Sequence, residues 1–269
     1  MNQTSEIYRD EKSLLHVRRI CAEILDMFVP NVCASCGAKP VGHSMLCEEC
    51  RIKLLNCVTL PYCPFCGTSL GPHLTSKANS GCYDCPVPMP RFRRVYRIGP
   101  YAGVLKPIIR QIKYHSQWAM IEPLTRLLAE HIPNVSQTQF DLVAPVPMFW
   151  ARRILRNGNH SWMMAKCLAG KLNLPASREI IRIRNTPQQA HFCRSRRMEN
   201  VKDAFKIRNP QLMSGLKILL VDDVVTTGAT ADEAVRTLLD AGASEVHLAV
   251  FAKAGTPVPY EDRHPESKS

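Results

Sequence analysis

The sequence predicts an α/β fold, a parallel sheet flanked by helices, preceded by a small cysteine-rich domain. Three observations carry this. Lys217–Ala234 reads K-I-L-L-V-D-D-V-V-T-T-G-A-T-A-D-E-A, an unalternating apolar run that passes through two acids and a hydroxyl-rich loop. Phe140–Pro147 and Val246–Phe251 are further short apolar runs, separated from it by stretches of helical periodicity. Eight of the 12 cysteines form four C-x-x-C pairs, all before residue 90.

The first run is the signature of a strand buried on both faces. After it, Thr230 is placed to cap a helix from about Ala231. Asp232 and Glu233 fall in its first turn, and Ala234, Val235, Leu238 and Leu239 recur at helical spacing. The acids Asp222 and Asp223 then sit at the carboxyl end of the strand, where open α/β sheets place their ligands. The loop Thr226, Thr227, Gly228, Ala229, Thr230 can turn backbone N–H groups and hydroxyls toward one point at a helix N-terminus, a phosphate cradle. Gly228 lets the backbone approach without a side chain in the way. Adjacent carboxylates suit a vicinal diol. Together they describe a site for a phosphorylated ribose, the bland alternative being a strand end followed by a plain turn. The Walker A and G-x-G-x-x-G patterns are absent.

In chain order, Leu14, Leu15, Val17, Ile20, Ile24, Leu25 and Phe28 mark an amphipathic helix within an otherwise polar 1–30 segment. Residues 31–90 hold the pairs Cys33/Cys36, Cys47/Cys50, Cys63/Cys66 and Cys82/Cys85. Ten residues separate the first two pairs and fifteen the last two. Two thiolates on one tight turn facing two from another supply tetrahedral zinc with its ligands. Gly37 and Gly67 follow two of these pairs and fit such turns. The expectation is two sequential Zn²⁺ ribbons with four cysteines each, with cross-braced pairing, a disulfide framework and a redox C-x-x-C as rivals. So small a module draws its folding energy from the metal. Its role is structural, or it binds nucleic acid. Just downstream, Arg91, Arg93, Arg94 and Arg97 interleave with Phe92 and Tyr96, a mixture that serves phosphate contacts and base stacking or one basic face of a strand.

Residues 91–254 form the α/β domain. A strand is expected over Arg94–Tyr101, helices over Val104–Lys113 and Ile121–His131, a strand over Phe140–Pro147 and a helix over Trp162–Leu172. Arg152, Arg153 and Arg156 form a basic cluster after the second strand. Residues 178–208 read as a long basic loop, a candidate lid whose arginines include Arg196 and Arg197. Residues 255–269 are a polar tail expected to be disordered.

The formal charge is +12, from 35 basic and 23 acidic residues, which favours anionic partners. No apolar stretch reaches the ~18 residues of a membrane-spanning helix, and the first residues lack the apolar core of a signal peptide, so the reading places the chain in the cytoplasm.

Val221–Thr230 resembles the phosphoribosyl pyrophosphate (PRPP) motif of type I phosphoribosyltransferases. The whole order of pieces resembles the ComF family, over about residues 28–254. Besides the PRPP motif and the four pairs, Lys113-Tyr114, Pro145-Val146-Pro147, Arg152-Arg153, Arg184–Gln189, Ser195-Arg196-Arg197, Asn200-Val201 and Ala204-Phe205 carry this likeness. The resemblance implies a type I phosphoribosyltransferase-like domain behind a double zinc ribbon. It assigns the ribose to Asp222 and Asp223, and the 5-phosphate to Val224, Val225, Thr226, Thr227, Gly228, Ala229 and Thr230. Pyrophosphate contact or a lid role goes to Lys113, Arg152, Arg153, Arg196 and Arg197, with Mg²⁺ accompanying PRPP. It also implies a role in DNA uptake or use, with single-stranded DNA and DNA-uptake proteins as partners. Two function classes follow, a phosphoribosyltransferase and a non-catalytic protein that senses PRPP or a nucleotide while handling DNA. Two segments depart from the pattern. Asn157-Gly158-Asn159-His160-Ser161 stands where the family has R-G-F-N-Q, and Tyr114 is followed by His115-Ser116 rather than glycine.

Overall fold

The computed structural model describes residues 32–42, 44–71, 81–114, 117–133, 140–149, 159–186 and 194–255, with side chains in the last span from 198 onward. The N-terminal helix expected over 14–28, Arg152, Arg153 and the tail beyond 255 lie outside the described residues, as do the side chains of Arg196 and Arg197. The chain divides into two compact units, Met1–Arg51 and Ile52–Ser269.

The larger unit is built on a four-stranded sheet in the order β1-β6-β5-β2, every neighbouring pair parallel. Its strands are β1 (Val95–Pro100), β2 (Leu142–Pro145), β5 (Lys217–Val225) and β6 (Glu245–Lys253). Parallel strands carry helices on both faces, so their residues are apolar on both sides. Along β5, Ile218, Leu219, Leu220 and Val221 are all buried. Period-two alternation sends Ile218 and Leu220 to the face where Leu142, Ala144, Val246 and Leu248 also pack. Helix α6 (Ala229–Asp240) covers that face through Ala231, Ala234, Val235 and Leu238; of the stripe read from the sequence, Leu239 is only partly buried against it. Helices α2 (Leu105–Tyr114), α3 (Ile121–Glu130) and α4 (His160–Leu172) complete the layers, α3 against β1 and β6 and α4 against β2 and β5. Gly99 is a glycine for a packing reason. A Cβ there would fall 2.8 Å from Leu105 Cδ1 and 2.9 Å from the Cβ of Cys57, on helix α1 (Glu48–Val58).

Three expectations are corrected. The segment 178–208 is not one loop: β3 (Ile180–Arg182) and β4 (Phe205–Ile207) form an antiparallel pair, and helix α5 (Arg194–Val201) precedes β4. Its arginines masked the alternation, because Ile180, Phe205 and Ile207 are buried while Lys206 faces solvent. Of the two readings of 91–97 the stacking surface fails: Arg91, Arg93 and Arg94 face solvent, but Phe92 and Tyr96 are core residues at 4% and 5% exposure, and Arg97 is itself fully buried. The two rings offer no open stacking surface for bases. Helix α6 begins at Ala229 rather than near Ala231, because Gly228 ends the loop in a left-handed turn at φ 81° and is the N-cap, so Thr230 lies inside the first turn.

Candidate functional site

Strand β5 runs through the two acids, so their alternation places them in different surroundings. Asp222 is half-buried and Asp223 is buried. Both oxygens of Asp223 are engaged. Lys113 Nζ, from the last turn of α2, lies 2.9 Å from Oδ1, and His160 Nε2, the first residue of α4, lies 2.7 Å from Oδ2. Asn159 caps α4, accepting from the backbone N–H of Trp162, and this sets His160 at the helix start facing β5.

This network separates the two carboxylates chemically. Burial works against the charge on Asp223, but the Lys113 ammonium and the His160 hydrogen bond hold its carboxyl well below the usual range. Burial likewise works against the charge on Lys113, and Asp223 more than offsets it, keeping the ammonium form. Burial and the neighbouring Asp223 charge push Asp222 up to about 7. A carboxyl poised there, beside one held ionised, is the kind of pairing found at functional sites.

The sign of the resulting pH effect is fixed. The folded pKa of Asp222 lies above the ~3.9 of an unfolded aspartate, so the native state binds the extra proton. Stability therefore falls through this group as pH rises from about 4 to about 7. Asp222→Asn is expected to raise the thermal midpoint more at pH 8 than at pH 5; equal shifts, read by circular dichroism, would show that Asp222 carries no such burden.

The acids open on a cleft of about 510 Å³. The loop Thr226–Thr230 forms one wall, and Tyr101, Lys113, His160, Arg182, Thr186 and Asn200 contribute to the others. The N-cap Gly228 makes no side-chain capping bond, and among the described residues Thr227 Oγ1 accepts from the Ala229 N–H only at 3.5 Å, so the first turn of α6 and its helix dipole favour an anion. Thr226 is exposed and Thr227 half-buried, so hydroxyls border the same point. Arg182 Nη2 donates to Thr186 Oγ1, and its guanidinium lies 5.4 Å from the Phe205 ring centroid. Arg182 adds positive field at Asp222.

Of the residues expected at the site, Lys113, Asp222, Asp223 and the whole 224–230 loop meet around one cleft. Three positions had not been singled out for a role. Tyr101 ends a segment read only as a strand, and Arg182 lies in the stretch read as a long basic loop. His160 lies in the segment that departs from R-G-F-N-Q, and its one local signal was the Asn159 cap.

The cysteines form two groups, Cys33, Cys36, Cys47, Cys50 and Cys63, Cys66, Cys82, Cys85, in each of which the sulfurs all lie within 4.8 Å of one another. This is the sequential arrangement, not the cross-braced one. Neighbouring Sγ atoms are 3.7 Å apart for Cys36–Cys47 and 3.6, 3.5 and 3.8 Å for Cys63–Cys85, Cys66–Cys82 and Cys82–Cys85. A tetrahedron with Zn–S bonds of about 2.3 Å has edges of about 3.8 Å, so both sets fit zinc. Gly37 and Gly67 both take φ 78°, the turn that tips each pair of sulfurs together. Within the second group, the Cys66 side chain and backbone donors hold Cys63 down at about 4, near thiolate. The first group lies in the Met1–Arg51 unit and the second in the larger unit.

A buried cation beside the second group supports the same fit. Arg97 donates to Ser69 Oγ at 2.8 Å and lies 4.8 Å from the Tyr62 ring centroid, yet its Nε and Nη1 have no hydrogen-bond partner among the described residues. Burial draws Arg97 down to about 10, against which Tyr62, Cys57 and Cys66 act. Four thiolates around Zn²⁺ carry a net negative charge, which a guanidinium buried nearby would offset.

Cradle, acids and cysteine groups together define the class: a phosphoribosyltransferase-type α/β domain joined to a double zinc ribbon. Family models agree. Residues 159–266 match "Phosphoribosyl transferase domain", and residues 24–86 match "Double zinc ribbon domain". DNA utilization protein YhgH from Salmonella typhi is 31% identical over 228 residues, 82% of this chain and 96% of that protein. Competence protein F from Haemophilus influenzae is 26% identical over 229 residues, with the same coverage. The purine phosphoribosyltransferase structure from Pyrococcus horikoshii aligns with 53% of this chain and 80% of its own at 18% identity and a TM-score of 0.35. The chain belongs to the family of YhgH and the ComF competence proteins. Among the described residues, no helix is long and apolar enough to cross a membrane.

Proposed function

We propose that this protein binds PRPP with Mg²⁺ in the Asp222–Thr230 cleft, transfers its phosphoribosyl group to a nitrogen acceptor, and acts in the cytoplasm in the uptake or use of external DNA. The observation that carries the reading is the convergence of a helix N-terminus with a glycine N-cap, the Thr226–Thr230 hydroxyls and a poised Asp222 on one cleft. In this reading the loop takes the 5-phosphate and Asp222 meets the ribose hydroxyls. Asp223 orients the site through Lys113 and His160. Mg²⁺ favours one or two carboxylates plus substrate phosphates, which suits Asp222 and a bound pyrophosphate. The C1–O bond breaks with its electron pair leaving on pyrophosphate, the acceptor nitrogen's lone pair forms the new C1–N bond, and the proton that nitrogen sheds passes to the departing pyrophosphate or to water. The DNA role draws on the relatives named for DNA utilization and competence. Single-stranded DNA and DNA-uptake proteins are its proposed partners. Arg152, Arg153, Arg196 and Arg197 are retained as proposed pyrophosphate contacts.

A second reading has a specific observation behind it. Both oxygens of Asp223 are already held, which favours a site that senses PRPP or a nucleotide over one that turns it over. One experiment separates the two. Calorimetry with Mg²⁺–PRPP is expected to give saturable binding that Asp222→Asn/Asp223→Asn abolishes. Affinity should rise with pH through about 7, where Asp222 ionises. Pyrophosphate release on adding candidate bases supports transfer. Binding without release, with salt-sensitive single-stranded DNA binding, supports sensing. No binding by zinc-loaded wild type overturns both.

A further inference from the structure

The second cysteine group and the phosphate loop belong to the same compact unit and face each other across a second cleft, of about 470 Å³. Cys66, Thr68 and Asp84 line it from the ribbon, and Thr226, Thr227 and Gly228 from the loop. Thr226, Thr227 and Gly228 line this cleft as well as the one in front of the acids. Lys253, the last residue of β6, touches both sides. Its Nζ donates to the carbonyl oxygens of Thr226 at 2.7 Å and Ala254 at 2.6 Å. Its stem runs under the ribbon's turn: a Cβ added to Gly67 would meet Lys253 Cβ and Cδ at 3.6 Å. Gly67 is the left-handed residue that closes the Cys63–Cys66 turn, so the Lys253 stem packs on the metal-binding turn itself. The ribbon is further tied to the sheet by Val95 N–H donating to Pro64 O at 2.7 Å and by the Arg97–Ser69 bond.

We propose that Lys253 is a positioning residue that couples the second zinc centre to the phosphate loop, so that loading of that centre sets the loop's affinity for a 5-phosphate group. The proposal rests on the phosphate reading of the loop given above. Physically, a ribbon this small keeps its turn only while the metal holds it. When the Cys63–Cys66 turn loosens, the Lys253 stem loses its packing partner and the Thr226 carbonyl loses its anchor. The loop N–H groups then no longer converge. Pre-organisation of the loop is part of its affinity, and losing it weakens binding without removing a ligand contact.

The test uses the full-length protein, ribose 5-phosphate as the probe, and zinc content as an independent readout. Lys253→Met is expected to weaken ribose 5-phosphate binding about fivefold or more, a typical coupling magnitude. Zinc content should not change, and Lys253→Arg should restore most of the affinity. Cys85→Ser should lose one zinc and weaken binding to a similar degree. Added to Lys253→Met, it should have little further effect, because both changes break the same link. Additive losses, or unchanged binding in Lys253→Met, overturn the coupling while leaving the cradle intact. No ribose 5-phosphate binding by zinc-loaded wild type overturns the cradle reading first, so the two failures are distinguishable.

Discussion

Replacing Lys113 with methionine is expected to destabilise the protein by about 3 kcal/mol or more, because it leaves Asp223 buried with one of its two charge partners removed. Both side chains are withdrawn from water, at 17% and 9% exposure, so little solvent screening softens the loss. Asp222 aggravates it. With the ammonium gone, two adjacent carboxylates share a cleft whose remaining described contact to Asp223 is His160. The partner substitution gives the control. Lys113→Met/Asp223→Asn should recover most of the stability, since it is the uncompensated charge that costs, not the absence of the pair. Denaturant unfolding of the two single variants and the double variant measures this directly. A double variant no more stable than Lys113→Met would show that Lys113 matters for packing alone. The pH dependence has a definite sign. The folded pKa of Asp223 is depressed, so its contribution is present above the unfolded value of ~3.9 and is lost as pH falls through the folded pKa. In Lys113→Met that loss should begin at higher pH.

The second large effect is metal loss from the cysteine groups. Cys63→Ser is expected to lower zinc content from two ions per chain to one, and to open the ribbon around Cys63–Cys85 to proteolysis. Zinc affinities of about 10–16 kcal/mol in such ribbons are folding free energy, so the segment has little to hold it without the ion. The loss should reach the sheet: the ribbon donates no metal to the cleft, but Pro64, Ser69 and Gly67 pack on Val95, Arg97 and Lys253. Arg97 would be left fully buried without the thiolate charge it faces. Thermal unfolding should therefore shift down for the larger unit as well. An unchanged midpoint with one zinc lost would show that the ribbon and the sheet fold independently. Removing one ligand from each group in separate variants assigns the two ions.

Much of this protein was legible along the chain because its decisive signals are local. A buried parallel strand is a short apolar run, a phosphate loop is a run of small residues before a helix, and a zinc ribbon is two pairs at fixed spacing. Lys217–Thr230 and the eight cysteines therefore announced the parallel sheet, the strand–loop–helix that carries the two acids, and both metal groups. Where charge overlay hid periodicity, the reading failed: the arginines of 178–208 concealed the β3–β4 pair, and those of 91–97 made core aromatics look exposed.

What the sequence by itself determined is the buried strand that carries the two acids and the kind of metal site, since both follow from residue types at short separations. The tertiary structure decided which acid is available. Lys113 and His160 are 110 and 63 positions away from Asp223, and only the packing of α2 and α4 beside β5 brings them to its two oxygens. It also decided that the second ribbon shares a cleft with the Thr226–Gly228 loop, with Lys253 between them. Neither relation leaves a pattern in the chain, because burial and charge compensation depend on distances in space that no spacing of residues encodes.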